Sequence, residues 1–386
     1  MTVRVEGAPK LFSTTWSPTV VGFPRALLDM NVSLHFSASN ALWNGIRQLD
    51  LKAGDTVLFP AYHCGAELDV CLKAGLDVAF YDVEPSLAID WDGVKRLVDS
   101  KTRALFVIHY FGFPLDLEPA RTICDEYGLI LIEDCAHALY SRNQRNQLCG
   151  RVGTMAVFSL RKFLPVPEGG ALWLAGPVVS MPNSTPPPAN ETFRMLRLEG
   201  QRSLRAHGVP LPKRMLARAV LLSGLPFSFY CKVKGNKLPP RANDPSLEFS
   251  QMGSNWGMST IARWITEHTD HEMVVHQRRT NYVELVGCLA SCSDVQIFFP
   301  QLPEGVCPWL CPIITDDCES LVTHLRRRGI EAAPLWREAH PRWSSERFPQ
   351  AKRLKDHAVA LPIHQDLGVQ DMRTMANEVH KWNASA

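Results

Sequence analysis

The sequence predicts an α/β fold in three layers, with a mainly parallel sheet between two layers of helices, followed by a smaller α+β domain. In the first half of the chain, short apolar segments alternate with segments of helical periodicity. The apolar segments are nearly continuous, which is typical of parallel strands that are buried on both faces. The 386 residues suffice for two to three domains of roughly 150 residues each.

The predicted elements follow one another in regular order. Strands are expected at 56–60, 77–82, 104–109, 129–133, 155–160 and 170–174, and helices at 41–49, 64–74, 91–98 and 117–127. Ligands of such sheets collect outside the carboxyl ends of the strands. Polar or aromatic residues stand at several of these ends, among them Tyr62, His109 and Asp134. The sequence therefore predicts a site along this edge of the sheet.

The alternation stops after residue 174. Five prolines within residues 176–190 predict a surface loop with polyproline character. Residues 191–241 contain eleven Lys and Arg against two Glu, interleaved with apolar residues. This pattern indicates a basic amphipathic helical insertion, and it also fits a surface for an anionic substrate or for membrane-associated partners. We place both segments in a large domain of residues 1–250.

Residues 251–386 are expected to form the smaller C-terminal domain. Helical periodicity covers residues 261–282, 320–328 and 370–382, and strand-like segments lie at 295–300 and 311–314. This mixture predicts an α+β unit that closes over one end of the large domain.

Composition excludes several classes of protein. With 41 Lys and Arg against 39 Asp and Glu, nothing in the overall charge points to nucleic acid or to a membrane. No apolar segment approaches the ~20 residues of a transmembrane helix, and residues 1–10 do not resemble a signal peptide, so a cytoplasmic protein is expected. The eleven cysteines are scattered, and the pairs Cys288/Cys292 and Cys307/Cys311 lack the C-x2-C spacing usual in zinc sites. We therefore expect reduced thiols and no metal.

Four features together indicate a pyridoxal 5′-phosphate site. A helix that opens near Ser39 offers N–H groups to a phosphate, and Tyr62 offers an aromatic face to a planar ring. Asp134 can hold a positively charged ring nitrogen, and Lys162 can form a Schiff base. Taken singly, Asp134 also fits a helix cap and Lys162 a solvated loop lysine. Their combination in this order favours the cofactor site.

The same residues lie in stretches that resemble the DegT/DnrJ/EryC1/StrS family of sugar aminotransferases, within fold type I of the pyridoxal phosphate enzymes. The matching stretches include "SASNAL", "LKAGDTVLFPAYHCG", "GLILIEDCAHAL", "VGTMAVFSLRKFLPVPEGGAL" and "GSNWGMS", in family order. The resemblance implies that Asp134 pairs with the ring nitrogen, that Lys162 carries the cofactor and that Tyr62 stacks on its ring. It also implies that five further residues contact the cofactor: Ser39, Asn40, His137, Ser159 and Asn255, the last of which reaches the cofactor of the neighbouring subunit.

The chain departs from the family pattern at several places. His137 stands where the family usually has Gln, and a histidine can titrate. Gly257 stands where the family commonly has Arg, and Arg161 is a hypothetical substitute for that cation. Only two residues separate Ser159 from Lys162, fewer than is usual. These departures predict a divergent member with an unusual substrate.

The resemblance implies an aminotransferase that takes an amino group from glutamate or glutamine. The acceptor would be a keto-sugar, expected to be linked to a nucleotide, in polysaccharide (including lipopolysaccharide) or secondary-metabolite biosynthesis, and the enzyme would be a homodimer. His109, Trp336 and Arg337 are expected near the substrate. Two alternatives stay open: a regulatory protein in which the basic insertion binds a partner or a membrane, and another pyridoxal phosphate reaction such as dehydration.

Overall fold

A computed structural model describes residues 5–10, 13–30, 32–176, 184–205, 249, 251–338 and 340–383. Its strands are β1 Ser33–His35, β2 Thr56–Pro60, β3 Asp77–Tyr81, β4 Thr102–Ile108, β5 Ile130–Asp134, β6 Met155–Ser159, β7 Gly170–Leu174, β8 Gln296–Ile297, β9 Cys311–Ile314, β10 Ala333–Pro334 and β11 Ala358–Leu361. Its helices are α1 Arg25–Leu28, α2 Ala38–Ile46, α3 Ala66–Lys73, α4 Trp91–Arg96, α5 Glu118–Tyr127, α6 Ala189–Arg205, α7 Thr260–Glu267, α8 His271–Leu289, α9 Cys318–Arg327, α10 Pro349–His357 and α11 Val369–Asn383.

Seven strands form one sheet in the order β1-β7-β6-β5-β4-β2-β3. The five strands β2 to β6 are mutually parallel, whereas β7 pairs antiparallel with both β6 and β1. The central strands are apolar and buried because helices such as α2 and α5 pack against the sheet. The predicted α/β fold with a mainly parallel sheet is confirmed.

The parallel pairing brings the carboxyl ends of the central strands to one edge. Ile108 at the end of β4 lies opposite Asp134 at the end of β5, and Asp134 lies opposite Val157 near the end of β6. Two residues beyond Val157, the chain ends β6 at Ser159 and makes a tight turn over Leu160–Lys162. Asp134 and Lys162, far apart in sequence, therefore leave neighbouring strands on the same side.

Strand β7 returns antiparallel and brings the start of α2 to the same place. Gly170 pairs with Ser159, and a Cβ atom on Gly170 would lie 2.3 Å from the carbonyl carbon and oxygen of Ser37. Only glycine leaves room for this approach of backbone to backbone. The glycine therefore sets the N-terminus of α2 beside the end of β6.

The C-terminal residues form a second sheet in the order β10-β11-β9-β8, with all strand pairs antiparallel. Helices α8 and α11 pack together in this unit. The prediction of one helix over 261–282 was wrong, because α7 ends at Glu267 and the side chain of Asp270 accepts the N–H of Met273 to begin α8. The short strands β10 and β11 and the helix α10 were not predicted.

The insertion predicted at 191–241 is described only in part. Residues 189–205 form the amphipathic helix α6, as expected for the first part of this segment. The remainder, residues 206–241, and residues 177–183 of the proline-rich loop lie outside the described residues. None of the described helices combines the length and the apolar character needed to cross a membrane.

Two buried cations join the C-terminal unit to the large sheet. The Lys355 ammonium of α10 donates to the carbonyl oxygens of His63 (2.9 Å) and Trp336 (3.0 Å). The Arg278 guanidinium of α8 donates to the carbonyl oxygens of Trp309 (2.9 Å) and Lys162 (3.2 Å). Because unpaired buried cations are costly, these bonds fix the two units against each other.

Replacing Gly170 by alanine tests the approach of β7 to α2. We expect Gly170→Ala to lower the free energy of unfolding by about 2 kcal/mol or more, because backbone atoms of Ser37 and Ala38 cannot yield easily to a new methyl group. Chemical denaturation measures the change. The control is Gly287→Ala in α8, where the added Cβ meets nothing within 4 Å and should stabilise the helix slightly. Equal stability of the two variants would contradict the prediction.

Candidate active site

A cavity of about 330 Å³ opens at the carboxyl ends of the central strands. Six of the residues predicted for the site line it: Ser39, Asp134, His137, Ser159, Lys162 and Trp336. Further lining residues include Ser37, Ala38, Cys64, Glu67, Arg161, Glu168 and Met195. The volume falls in the range of small-molecule sites, roughly 300–1,000 Å³. One cavity therefore contains most of the chemically active side chains that were predicted to lie at this edge.

Asp134 provides a buried carboxylate at the end of β5. One of its oxygens, Oδ1, accepts the N–H of Ala136 at 2.8 Å. Burial and the neighbouring carboxylate of Glu67 raise the pKa of Asp134 to about 6, while the positive charge of Lys162 acts in the opposite direction. A carboxylate that is ionised at such a cost gains from any cation that enters the cavity.

Lys162 extends its ammonium group over an aromatic ring. Its Nζ lies 4.8 Å from the centroid of Trp309, a cation–π distance. The carbonyl oxygen of Lys162 accepts a hydrogen bond from the buried Arg278, which anchors the backbone of the turn. The amine is thus on a fixed backbone but has no rigid ionic partner among the described residues, so it can reach a group in the cavity.

The start of α2 forms another wall of the cavity. The Ser37 side chain caps the helix by accepting the N–H of Asn40 at 3.1 Å. Ser37, Ala38 and Ser39 all line the cavity, and Ser159 lines it from the adjacent end of β6. A helix N-terminus with two serine hydroxyls nearby is a favourable environment for a phosphate group.

His137 is neutral and sits among aromatic rings. Its ring stacks on Trp309 at 4.2 Å and on Trp336 at 5.4 Å between centroids. Its Nδ1 accepts the N–H of Phe111 (3.3 Å), so the proton of the neutral ring resides on Nε2. Burial and the charge of Lys162 hold the pKa of His137 well below its usual value. The predicted possibility that His137 titrates near neutral pH is therefore not supported.

Tyr62 does not line the cavity, contrary to the prediction that it stacks on a bound ring. It is fully buried and packs on Trp336 (4.8 Å between centroids) and Tyr110 (5.6 Å). Cys64, two residues further along, faces the cavity instead. The strand end turns so that Tyr62 supports Trp336 from behind.

Asn40 and Asn255 also lie outside the lining of this cavity. The Asn40 amide donates to the carbonyl oxygens of Gly253 (2.7 Å) and Ser254 (3.1 Å), so it holds the segment before α7 rather than a ligand. Asn255 is exposed, and its carbonyl oxygen accepts the N–H of Thr185. Its reach to the cofactor of a neighbouring subunit stays a prediction.

His109 and Arg337 were expected near the substrate, and neither lines the cavity. His109 is buried, with Nδ1 accepting the N–H of Leu115 and Nε2 donating to Glu133 at 3.0 Å. These two residues and Cys135 place three possible metal ligands within 4.8 Å, but the Glu133 oxygens also accept backbone N–H groups of residues 150, 152 and 153. The cluster therefore serves the fold. Arg337 is exposed and pairs with Glu319.

Several cavity residues escaped the sequence analysis. Glu67 lies in the first turn of α3, where an acidic residue is ordinary, and only the structure shows that it faces the cavity. Its carboxylate accepts the N–H and the thiol of Cys64 (3.1 and 2.6 Å). Trp309 is not itself a lining residue, but it contacts the lining residues Lys162 and His137, and its position before β9 carries no local signal. Glu168 had a weak signal, since it precedes the paired glycines 169 and 170.

Comparisons with known proteins agree with this geometry. Residues 29–181 match the model of the DegT/DnrJ/EryC1/StrS aminotransferase family. Over 133 residues the chain is 32% identical to GDP-perosamine synthase of Vibrio cholerae, covering 34% of this chain and 36% of that protein. Over 144 residues it is 33% identical to dTDP-4-dehydro-2,3,6-trideoxy-D-glucose 4-aminotransferase of Saccharopolyspora spinosa, covering 36% and 37%. The predicted family resemblance is confirmed for this segment, and the matched part spans little more than a third of these relatives.

The fold itself extends over nearly the whole chain. PseC of Helicobacter pylori, an aminotransferase involved in the biosynthesis of pseudoaminic acid, superimposes with a TM-score of 0.67 and 17% identity. The superposition covers 99% of this chain and 100% of that one. The predicted fold type I architecture is confirmed by this likeness.

The raised pKa of Asp134 predicts a pH-dependent stability of the cofactor-free protein. At about pH 3 and below, the Asp134 side chain is protonated in the folded state and mostly protonated in the unfolded state, so Asp134→Asn should leave the free energy of unfolding nearly unchanged. Above pH 6 the wild-type protein must ionise a buried carboxyl, and the variant should be more stable by about 2–3 kcal/mol at pH 8. Denaturant titrations at the two pH values measure this, with the exposed Asp294→Asn as control. A variant less stable than wild type at pH 8 would refute the argument.

Proposed function

We propose that this chain, whose residues 29–181 match the DegT/DnrJ/EryC1/StrS aminotransferase family, is a pyridoxal phosphate-dependent aminotransferase. It transfers an amino group from glutamate or glutamine to a keto-sugar that is linked to a nucleotide. The observation that carries the proposal is the cavity in which Lys162, Asp134 and the N-terminus of α2 meet. An amine, a carboxylate and a phosphate-binding helix end are the groups that this cofactor needs.

The residues present fit the cofactor. Ser39, Ser159 and the first N–H groups of α2 would hold the phosphate, at the place where Gly170 allows α2 to begin beside the end of β6. One oxygen of Asp134 accepts the N–H of Ala136, and within the described part of the chain the other oxygen has no donor, so it is available to a ring nitrogen. Lys162 would hold the aldehyde carbon through Nζ. When bound, pyridoxal phosphate supplies an electron sink for the charge that develops at the substrate carbon.

Asp134 has an electrostatic role in this scheme. A positively charged ring nitrogen beside its carboxylate is stabilised, because the cavity shields the pair from water. The same attraction favours the ionised carboxylate over the protonated form. It therefore opposes the effect of burial, which raises the pKa of Asp134 to about 6. Asp134 would therefore favour a protonated ring nitrogen when the cofactor is bound.

Lys162 has the role of the proton carrier. With the cofactor bound, Nζ of Lys162 would take up the proton from the substrate carbon and, as the ammonium form, would return a proton to the cofactor. The face of Trp309 offers the ammonium form a resting position that requires no carboxylate partner. The anchored backbone of the turn keeps the amine within reach of the reacting atoms.

The walls of the cavity orient the reactants and limit the access of water. His137, held between Trp309 and Trp336, presents a neutral ring with its proton on Nε2, which can donate to an oxygen of the cofactor or substrate. Trp336 has a positive φ of 54° and packs against Tyr62, so its position is fixed from behind. The C-terminal unit thereby contributes a wall to a site built mainly by the large sheet.

The sugar acceptor is proposed from the relatives. Two aligned proteins bear names that specify sugar nucleotides, a GDP-perosamine synthase and a dTDP-sugar 4-aminotransferase. The family model matches residues 29–181, which include the cavity residues from Ser39 to Lys162, the part of the site that we assign to the cofactor. A keto-sugar for polysaccharide or secondary-metabolite biosynthesis, handled in the cytoplasm by a homodimer, is the acceptor and setting that we propose.

Borohydride reduction tests the assignment of Lys162. Protein mixed with pyridoxal phosphate should show a visible absorption band, and reduction should fix the cofactor on the peptide that contains residue 162. Lys162→Ala should abolish the fixation at that peptide, whereas Lys101→Ala, a change on the surface, should not. Mass spectrometry of the digested protein locates the adduct. Undiminished covalent cofactor in Lys162→Ala would refute the assignment.

A panel of keto-sugar nucleotides tests the reaction. With glutamate or glutamine present, at least one member should gain an amino group, seen by mass spectrometry, and Asp134→Ala should reduce turnover by at least about a hundredfold while the cofactor is still bound. Glutamate alone should convert the bound cofactor to its amine form. A protein that binds the cofactor but never undergoes this conversion would be a non-catalytic scaffold, which contradicts the proposal.

A further inference from the structure

We propose that Arg161 binds an oxyanion in the candidate active site, as a ligand additional to the N-terminus of α2 and the two serines. The inference deepens the proposed function and rests on it. The oxyanion is either the phosphate of the cofactor or the carboxylate of an acidic amino donor. Both present two or three oxygens to which a guanidinium can donate paired hydrogen bonds.

Arg161 lies in the short turn between Ser159 and Lys162, and its side chain lines the cavity. The side chain is exposed, although the surrounding protein is dense enough to lower its pKa from the usual 12.5. Among the described residues, the guanidinium has no hydrogen-bond acceptor and no ion-pair partner. A charged group that is partly desolvated and left without an acceptor has much to gain from an anion.

A comparison within the chain separates this arginine from a structural one. The buried Arg278 also lies beside the cavity, but it donates to four protein oxygens at 2.9–3.4 Å, those of Gln365, Trp309, Lys162 and Phe163. The N–H groups of Arg278 are therefore engaged in bonds that stabilise the fold. Arg161 keeps its donors available on the side of the turn that faces the ligand space.

Two carboxylates near Arg161 do not cancel its charge. Glu199 of α6 is paired with Arg202 at 2.8 Å. Oε1 of Glu168 accepts the N–H of Ser259 at 3.0 Å. Burial raises the pKa of Glu168 to about 7, so this side chain is partly protonated at neutral pH. The local balance around Arg161 thus remains positive.

The position of Arg161 matches the anion-binding end of the cavity. Ser159, two residues before it, pairs with Gly170, and Gly170 touches the start of α2. The guanidinium and the helix N-terminus therefore approach the ligand space from neighbouring elements. Both favour negative charge, and together they give the cavity one end that selects oxyanions.

Arg161→Gln tests the proposal in the full-length protein. Dissociation constants are measured by calorimetry for pyridoxal 5′-phosphate, for pyridoxal and for inorganic phosphate with the cofactor-free protein, and for glutarate with the cofactor-loaded protein. Glutarate mimics an acidic donor without an amine that can react. Arg327→Gln, on the exposed surface of α9, is the matched control. Arg161→Lys, which keeps the charge, decides the matter if Arg161→Gln fails to fold.

If the oxyanion is the phosphate of the cofactor, Arg161→Gln should raise the dissociation constants of pyridoxal 5′-phosphate and inorganic phosphate by about tenfold or more. The dissociation constants of pyridoxal and glutarate should stay unchanged. If the oxyanion is the carboxylate of the amino donor, only the dissociation constant of glutarate should rise by this factor. Arg161→Lys should show a smaller loss for the same probe. Dissociation constants within twofold of wild type for all four probes would overturn the proposal.

The proposed function fails by a different result. If borohydride fixes no cofactor on Lys162 of the wild-type protein, the cofactor assignment is wrong. The titration with inorganic phosphate still decides whether Arg161 binds an oxyanion, because that probe requires no cofactor.

Discussion

The site depends on the attraction between two opposite charges in one cavity, the carboxylate of Asp134 and the ammonium of Lys162. Burial raises the pKa of Asp134, and Lys162 counteracts this effect. Each charge is tolerated because the other is near, and both are open to a ligand that carries complementary groups. The parallel pairing of β4, β5 and β6 creates this opposition, since it brings the strand ends that precede the two residues to one edge.

The C-terminal unit completes the site through buried cations. Lys355 bonds to the carbonyl of Trp336 on one side and to that of His63 on the other, and Arg278 bonds to those of Trp309 and Lys162. The aromatic walls of the cavity are thus fixed through their backbones, and their rings are free to contact a ligand. Burial lowers the pKa of Lys355 to about 8, so this connection is made by a cation that the protein holds at a cost.

The charge distribution of the cavity explains how a divergent site can still hold an anionic cofactor. Glu67 and Glu168 add negative potential near Asp134 and the end of β6, where a phosphate must also be accommodated. Glu67 is engaged by Cys64, and Glu168 is partly protonated. The start of α2 and Arg161 supply positive potential beside the end of β6, which offsets these carboxylates there. A ligand that is positive at its ring nitrogen and negative at its phosphate is therefore oriented with the nitrogen towards Asp134 and the phosphate towards the start of α2.

Sequence patterns were enough to predict six of the seven strands of the large sheet, and they placed Asp134, Ser159 and Lys162 near strand ends along one edge. Apolar periodicity and strand-end chemistry are local signals, and residues that leave a parallel sheet at one edge need no further information to be placed together. Sequence patterns did not show that Tyr62 packs behind Trp336, that His109 bonds to Glu133, that Glu67 lines the cavity or that Lys162 lies over Trp309. These outcomes depend on which side chains fill the space between two units, and packing of that kind has no period that a single chain segment can show.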